Sequence, residues 1–381
     1  MSSKKSPQTL AVQAAENAFR TAKPVSTPIY LSTTFHREAD GSYEHGFVYS
    51  RMQNPNRKIL EEGIAQLEQG DRCLAFSSGM AAISAIFQAL KPGDHVLLPD
   101  DVYYNIYALI KEVYAPWGLS YDLVDMSDNK AVKAALQANT KLVWLETPSN
   151  PQLKISDITV IAQLVKQHNP QALLAVDNTW PSPVLQLPLN LGADISIHST
   201  TKYFGGHSDV LSGAIVVKGH PEFTHQLERI QILGGAVPSP FDAWLVSRGM
   251  QTLYTRVNAQ TETAQQLAQF LDEHPAIESV NYPGLESHPQ HEIAKKQMPN
   301  GFGAMLSVLV KGDAQRAIEV SNRLQLFTTA TSLGGVESLV EHRKSVEGED
   351  SPTPENLLRI SVGLEAFEDL KRDWERALVT G

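Results

Sequence analysis

The chain has 381 residues, a length that predicts two or three domains, or one large domain with an appendage. Apolar residues make up 42% of it and charged residues 19%, a composition typical of globular proteins and not of disordered ones. The 42 acidic against 32 basic side chains (net charge −10) argue against a nucleic-acid partner, and the single cysteine, Cys73, excludes a disulfide framework or a cysteine-based zinc site.

The N-terminal residues show no export or membrane signal. Lys4 and Lys5 are not followed by an apolar stretch, so we predict no secretory signal and no membrane partner. With only one cysteine, the chain fits a reducing compartment, and we predict a cytoplasmic location. Residues 1–48 are rich in Ser, Thr and Pro with little periodicity, which predicts an arm and not a core element.

After the arm, short apolar runs alternate with longer stretches of helical spacing. Helices are predicted at 56–69, 80–90 and 158–168, and buried strands at 95–99, 141–146, 173–177 and 214–217. This alternation predicts an α/β fold with a mostly parallel sheet covered by helices on both faces. From about Pro238, helical stretches mix with isolated strands, which predicts a second, smaller α+β domain.

Several common site motifs are missing. There is no Gly-rich phosphate loop with Lys, and Gly301-Phe302-Gly303 lacks the third glycine of a dinucleotide site. Gly206–Val210 misses a nucleophile elbow by one residue. His288 and His291 have no accompanying carboxylate pattern, so we interpret them as surface histidines and predict no metal site.

Three predicted strands lead into polar residues. The run KLVWLE continues into ETPSNP, LLAV ends at Asp177, and ISIH continues into Ser199-Thr200-Thr201-Lys202. Ligands of open α/β sheets bind where the carboxyl ends of the strands meet. We therefore predict one site at these three ends.

Lys202 is the main catalytic candidate. Most lysines are solvated, but this one follows a buried strand and three hydroxyl residues and precedes Gly205-Gly206. A lysine held in a pocket is partly desolvated, which favours its neutral, nucleophilic amine and suits Schiff-base chemistry. The neighbouring hydroxyls suit a phosphate.

Two further elements complete a pattern. The segment Ser77-Ser78-Gly79-Met80 opens a predicted helix, whose free N–H groups form an anion site, although many such starts are only caps. Asp177 ends a buried strand, and its carboxylate needs a partner. That partner is either a cationic side chain in a structural salt bridge or a protonated pyridine nitrogen. Lysine, carboxylate and phosphate cradle together describe pyridoxal 5′-phosphate (PLP).

The motifs around these residues resemble those of the Cys/Met-metabolism PLP enzymes, the trans-sulfuration family. The resemblance covers essentially the whole chain and keeps the family's order. The motifs that carry it are YSRMQNPNR, SSGMAA, PGDHVLLPDDVY, ETPSNP, DNTW, GADISIHSTTKYFGGHSDV, SRGMQTL, NYPGLESHPQH, SLGGVESL and LLRISVGLE. The resemblance implies a fold-type I, aspartate-aminotransferase-like α/β architecture with a smaller α+β C-terminal domain.

The resemblance also implies roles around the cofactor ring. Lys202 binds PLP covalently and then moves protons. Asp177 keeps the pyridine nitrogen protonated, Tyr103 stacks on the ring and takes part in catalysis, and Asn150 lies near the phenolic oxygen. Main-chain N–H groups and hydroxyls would bind the phosphate, namely those of Gly79, Met80, Ser199 and Thr201.

Tyr49 and Arg51 of YSR match family residues that reach the phosphate from a neighbouring subunit, and the planar fork of arginine suits two phosphate oxygens. This implies an arm at 1–48 that contacts another subunit, a PLP-binding domain at 49–240 and a C-terminal domain at 241–381. Members of the family usually form a homotetramer, a dimer of dimers with shared active sites.

In the C-terminal domain, Arg359, supported by Ser332, would bind the α-carboxylate of an amino-acid substrate.

The reaction is less sharply specified than the family. Enzymes that act at the γ-carbon usually carry a glutamate where this chain has Thr331, and the pocket-lining Tyr-Gly-Gly-Thr is here Tyr103-Tyr104-Asn105-Ile106. The segment EHRKSVEGEDSPTPENLL also replaces a common Met-Thr-His segment. We predict a carbon–sulfur lyase that performs cystathionine β-elimination. The alternatives are cystathionine γ-synthase or γ-lyase chemistry and, from another class, a non-catalytic PLP-fold binding protein.

Overall fold

The computed structural model describes residues 5–13, 24–348, 351 and 353–379. Its α-helices are α1 (Pro7–Gln13), α2 (Pro55–Glu68), α3 (Gly79–Gln88), α4 (Tyr104–Leu109), α5 (Ala115–Trp117), α6 (Asn129–Ala135), α7 (Ile158–His168), α8 (Ser182–Leu185), α9 (Pro221–Gly234), α10 (Pro240–Met250), α11 (Leu253–Asp272), α12 (His291–Gln297), α13 (Ala314–Arg323), α14 (Arg343–Glu347) and α15 (Phe367–Leu378). Its strands are β1 (Arg72–Phe76), β2 (His95–Pro99), β3 (Ser120–Val124), β4 (Thr140–Glu146), β5 (Leu173–Asp177), β6 (Ile195–His198), β7 (Gly213–Val217), β8 (Ile277–Asn281), β9 (Met305–Val310), β10 (Thr328–Thr329), β11 (Leu339–His342) and β12 (Leu357–Ser361). A π-helical turn at Ile110–Tyr114 joins α4 to α5, and a 3₁₀ turn lies at Pro188–Asn190.

The larger sheet has seven strands in the order β1-β7-β6-β5-β4-β2-β3. Strands β3, β2, β4, β5 and β6 run parallel, whereas β7 is antiparallel to β6 and β1 is antiparallel to β7. The mostly parallel sheet predicted from the sequence is confirmed. Periodicity identifies the run at 214–217 as a strand but does not reveal its direction.

The central strands are apolar along their whole length because both faces of the sheet are covered. In β4, Val143 and Leu145 belong to one apolar cluster and Leu142 and Trp144 to the other, and all four are fully buried. Continuous apolar runs of this kind are typical of parallel strands between two helical layers.

The second sheet has five strands in the order β10-β11-β12-β9-β8. It is antiparallel except for the pair β10 and β11. Helices α11, α13 and α15 pack against it or one another, which gives the C-terminal part its α+β character. The domain boundary near residue 240 stays a prediction.

The described part of the predicted arm includes a helix, α1, that was not predicted from the sequence. In α1, Ala11 is 1% exposed and joins the main core cluster, because the helix packs on α2 and α11. Residues 1–4 and 14–23 of the arm lie outside the described residues. A contact between the arm and a neighbouring subunit stays a prediction.

The interpretation of both histidines in SHPQH as surface residues is wrong for His288. This side chain is buried, and its Nε2 lies 3.1 Å from the carbonyl oxygen of Leu153, while His291 Nδ1 lies 2.8 Å from the carbonyl oxygen of Pro283. Both rings therefore bond to main-chain carbonyls. Across the described ranges, no group of three or more His, Cys, Asp or Glu side chains forms a candidate metal site, and no helix is long and apolar enough to cross a bilayer.

Candidate active site

The carboxyl ends of three neighbouring parallel strands open into one cavity of about 470 Å³. Glu146 of β4 pairs in register with Asp177 of β5, and β6 leads into the turn that carries Lys202. The start of α3 closes one side of the cavity, and the second sheet supplies the opposite wall. The single site predicted at the strand ends is therefore present as a cavity.

The structure brings together all the predicted site residues except Tyr49 and Arg51. The residues that line the cavity are Gly79, Met80, Tyr103, Asn150, Asp177, Ser199, Thr201, Lys202, Thr331, Ser332 and Arg359. Asp177 lies on β5 and Arg359 on β12, and the others lie at the start of α3 or in segments between the elements, far apart in the sequence. Their individual roles stay predictions.

Lys202 lies in a tight turn after β6. Its N–H donates to the carbonyl oxygen of Ser199, and its carbonyl accepts from the N–H of Gly206, which has φ +73°. The amine Nζ donates to Ser332 Oγ at 2.6 Å. Burial, followed by the nearby positive charge of Arg359, lowers the pKa of Lys202 to about 8. The amine is therefore far more often neutral at physiological pH than a solvated lysine.

Asp177 faces the cavity from the end of β5. Its Oδ1 accepts from the N–H of Thr179 at 3.0 Å, and no lysine, arginine or histidine of the described chain forms an ion pair with it. Burial raises its pKa, against hydrogen bonds from Thr179 that lower it. A carboxylate in this setting is stabilised by a cation placed in the cavity.

Glu146 is a buried carboxyl beside the partly exposed Asp177, and the sequence alone did not assign it to the site. Burial and the charge of Asp177 raise the pKa of Glu146 well above its usual range. Its Oε2 accepts from the N–H of Tyr103 at 2.9 Å, and thereby fixes the start of α4. The Tyr103 hydroxyl in turn accepts from Asn105 Nδ2 at 2.8 Å, and burial raises its pKa.

The start of α3 forms an anion cradle. Ser78 caps the helix by accepting from the N–H of Ala81 at 3.0 Å. A Cβ added to Gly79 would lie 3.0 Å from Ser199 Cβ, so glycine lets the helix start approach the Lys202 turn closely. Thr201 Oγ1 already donates to the carbonyl oxygen of Ser212 and accepts from its N–H, which holds that side of the cradle.

Arg359 lies on β12 at the opposite wall and is 5% exposed. Its Nη1 donates to Asn150 Oδ1 at 3.2 Å and its Nη2 to the carbonyl oxygen of Ser332 at 3.3 Å. Nη2 also donates to Glu341 Oε2 at 2.6 Å. Burial and the nearby Arg343 lower the pKa of Arg359 to about 10, which leaves the guanidinium charged at neutral pH.

Tyr49 and Arg51 do not line the cavity of their own chain. Arg51 Nη1 donates to the carbonyl oxygen of Ile232 at 2.5 Å, and the guanidinium carbon lies 5.6 Å from the centre of the Tyr49 ring. Tyr49 is 37% exposed. Both side chains are thus presented at the surface.

Four charged residues around the cavity were not predicted from the sequence, namely Glu146, Glu341, Arg343 and Glu347. Glu146 is the last residue of a strand already predicted to end at the site, which is a usable signal. Arg343 and Glu347 fall in the segment that departs from the family pattern, and only the fold shows that this segment returns to the cavity.

The residues present fit PLP. Asp177 offers a partly buried carboxylate with which no lysine, arginine or histidine among the described residues forms an ion pair. Gly79 lets the start of α3, where main-chain N–H groups can bind a phosphate, lie close to Ser199, and Lys202 supplies an amine of lowered pKa. These three features lie on one cavity. A protonated pyridine, a phosphate and an aldehyde are the groups that they match.

Comparisons with known proteins agree with this chemistry. The chain is 46% identical to cystathionine gamma-synthase of Mycobacterium bovis over 378 residues, covering 98% of this chain and 96% of that protein. It is also 46% identical to cystathionine beta-lyase of Coxiella burnetii over 363 residues, covering 93% of each. The crystal structure of cystathionine gamma synthase from Xanthomonas oryzae pv. oryzae with aminoacrylate and cysteine superposes with a TM-score of 0.94 at 37% identity, covering 99% of this chain and 98% of that one.

The superposition confirms the predicted fold, and these relatives confirm the predicted family resemblance. The profile of the family described as Cys/Met metabolism PLP-dependent enzyme matches residues 8–379. A match of this extent also confirms the predicted cofactor. The chain therefore belongs to the Cys/Met-metabolism family of PLP-dependent enzymes.

Proposed function

We propose that the protein is a carbon–sulfur lyase that eliminates homocysteine from the β-carbon of cystathionine, the remaining three-carbon fragment being hydrolysed by one water to pyruvate and ammonia. The observation that carries the amino-acid chemistry of this proposal is the pairing of Lys202 and Arg359 through Ser332, whereas the choice of the β-carbon rests on Thr331. An amine that moves protons thereby lies beside a guanidinium that binds carboxylates. Bound PLP supplies an electron sink for the α-carbon of the substrate.

The chain's own residues orient the substrate and move its protons. Arg359, with Asn150 and Ser332 beside it, binds the α-carboxylate and directs the α-hydrogen toward Lys202. Lys202 Nζ takes this proton, since a base of pKa about 8 works well near neutral pH. Tyr103 would cover the cofactor ring, and its hydroxyl would supply a proton at the leaving sulfur.

We also propose the remaining cofactor contacts. Asp177 would hold the pyridine nitrogen protonated, and Asn150 would bind the phenolic oxygen. The N–H groups of Gly79 and Met80 and the hydroxyls of Ser199 and Thr201 would bind the phosphate, and Thr331 would line the substrate space. The single cavity that contains these residues supports this assignment.

The second candidate is cystathionine γ-synthase or γ-lyase chemistry. The names of the relatives support it as well as the β-lyase, because a γ-synthase and a β-lyase match this chain at the same 46% identity. Thr331 favours the β-lyase, since γ-enzymes usually have a glutamate there. Both reactions use largely the same residues, so small changes in pocket shape decide between them.

Product analysis separates these candidates. The purified holoenzyme is incubated with L-cystathionine, and separately with an activated homoserine ester plus cysteine. Pyruvate with homocysteine indicates β-elimination, 2-oxobutyrate with cysteine indicates γ-elimination, and cystathionine formed only from the ester indicates γ-synthase. Lys202→Ala should lose the yellow colour and all turnover, whereas Lys311→Ala at an exposed site keeps both. A colourless wild type that PLP cannot reconstitute contradicts the cofactor assignment.

We further propose a cytoplasmic homotetramer, a dimer of dimers in which Tyr49 and Arg51 complete the phosphate site of a neighbouring subunit. The exposure of Tyr49 and the absence of both residues from their own cavity support this shared site. Cys73 is buried and lacks a disulfide partner, which supports a reducing compartment.

A further inference from the structure

Arg343 is a second buried guanidinium at the substrate cavity. Its side chain is 5% exposed and lines the cavity together with Val346 and Glu347 of the same short helix, α14. It lies in the segment that replaces the Met-Thr-His segment common in the family. The function proposed above assigns no role to Arg343.

Arg343 and Arg359 share one carboxylate oxygen. Glu341 Oε2 accepts from Arg359 Nη2 at 2.6 Å and from Arg343 Nη1 at 2.8 Å. The other oxygen, Glu341 Oε1, is buried without a hydrogen-bond partner in the described chain. Glu341 is thus held between two guanidinium groups, and it makes the shortest of the three hydrogen bonds that orient Arg359, the others going to Asn150 and Ser332.

The outer side of Arg343 contacts Glu347. Arg343 Nε and Nη2 donate to Glu347 Oε1 at 3.0 and 2.5 Å. Glu347 Oε2 also accepts from the hydroxyls of Ser351 and Thr353, each at 2.6 Å. Glu347 therefore keeps two hydrogen bonds without Arg343, whereas Glu341 has no hydrogen-bond donor besides the two arginines among the described side chains.

From this geometry we propose that Arg343 is a positioning residue, which acts through Glu341 to hold Arg359 in place and to keep it available for the substrate α-carboxylate. This proposal rests on the assignment of Arg359 as the carboxylate clamp. It does not depend on whether the reaction occurs at the β- or the γ-carbon, because every candidate substrate carries the same α-carboxylate.

Charge balance gives the proposal its physical basis. The cluster of Arg359, Arg343, Glu341 and Glu347 contains two positive and two negative groups, all of them buried. Without Arg343, the carboxylates of Glu341 and Glu347 would be balanced by the guanidinium of Arg359 alone. Glu341 would then neutralise the charge of Arg359 more completely. An unpaired buried charge is costly, and a negative cluster opposes an incoming carboxylate.

The test uses holoenzyme of the wild type and of Arg343→Met, Arg343→Lys, Glu347→Gln and Arg359→Lys. L-Alanine is the probe, because it carries only the α-amino and α-carboxylate groups, and its Kd is read from the visible absorbance of the bound cofactor. KM and kcat are measured with whichever of L-cystathionine or a homoserine ester the wild type turns over.

We expect Arg343→Met to raise both the Kd for alanine and the KM about tenfold or more, which is the range for one lost charged hydrogen bond. The effect on kcat should be smaller. Arg343→Lys should give intermediate values.

Glu347→Gln distinguishes two roles of Arg343, namely orienting Arg359 and holding α14 in place through its ion pair with Glu347. It removes one negative charge and keeps the shape, so we expect an unraised or lower Kd for alanine, opposite to Arg343→Met. If both variants raise the Kd alike, Arg343 only fastens the segment and the proposal is overturned. The proposal is also overturned if Arg343→Met folds and binds alanine with the wild-type Kd. If Arg343→Met does not fold, a wild-type Kd in Arg343→Lys overturns the proposal instead. Should Arg359→Lys bind alanine as well as the wild type, the clamp assignment itself fails.

Discussion

Lys202 Nζ donates to Ser332 Oγ at 2.6 Å, and the carbonyl oxygen of the same serine accepts from Arg359 Nη2 at 3.3 Å. Ser332 has φ +88°, a conformation that residues other than glycine seldom adopt. Such strain persists only where the surroundings fix it, and it concentrates at functional sites. One constrained residue thus connects the lysine that follows β6 with the arginine on β12 of the second sheet.

The lowered pKa of Lys202 predicts how cofactor loading depends on pH. Only the neutral amine attacks an aldehyde, and burial lowers the pKa of Lys202 to about 8, against about 10.4 for a solvated lysine. The rate at which apoprotein takes up PLP should therefore rise between pH 7 and 9 and level off above that range. Stopped-flow absorbance at fixed PLP concentration measures this rate. A rate that still rises tenfold per pH unit at pH 9 would show that the amine is solvated.

Gly79 provides a test of the anion cradle with a matched control. A methyl group there would crowd Ser199 Cβ at 3.0 Å and Ser199 Cα at 3.2 Å, whereas a methyl group on Gly234 meets no atom within 4 Å. We expect Gly79→Ala to weaken PLP binding about tenfold, since the N–H groups that start α3 move away from the Lys202 turn. Gly234→Ala, near a helix end, should leave PLP binding unchanged. Equilibrium dialysis with PLP gives both values, and equal affinities would contradict a cradle at Gly79.

Much of the fold follows from local patterns that this sequence shows clearly. The runs at 95–99 and 173–177 match β2 and β5 residue for residue, because both faces of these strands are buried and their apolar stretches are continuous. Helix α7 likewise spans the predicted 158–168. Helix α1 was not predicted, since its burial depends on α2 and α11 and not on its own spacing.

The sequence identifies the site residues that lie at strand ends or in family motifs. It does not identify site residues from a segment that has no motif and that only the fold places at the cavity. Lys202 and Asp177 follow buried strands, so the topology alone places them together. Arg343 and Glu347 lie in a segment of mixed polarity with no motif. Their place at the cavity results from the antiparallel pairing of β11 with β12, which brings Glu341 opposite Arg359.

Asp177→Asn should separate a catalytic carboxylate from a structural one. The asparagine keeps the shape but cannot hold the pyridine nitrogen protonated, so kcat should fall by ~100-fold or more. The raised pKa of Asp177 means that its charged form destabilises the folded apoprotein at neutral pH, where the unfolded chain carries the same charge in water. Removal of that charge should leave the apoprotein at least as stable. Denaturant unfolding of apoprotein at pH 7.5 measures this, and a clear loss of stability would indicate a structural salt bridge instead.

The shared active site makes a prediction about mixed oligomers. Arg51→Ala should weaken PLP retention even though Arg51 does not line its own cavity, and Lys202→Ala should be inactive. In a mixed dimer, one site combines the intact Lys202 of one subunit with the intact Arg51 of the other, while the second site carries both changes. Random mixing should restore about a quarter of wild-type activity at limiting PLP, because half of the dimers are mixed and each has one intact site. The two variants are unfolded together, refolded and assayed against each variant refolded alone. Activity no higher than the average of the separate variants would show that each subunit builds its own phosphate site.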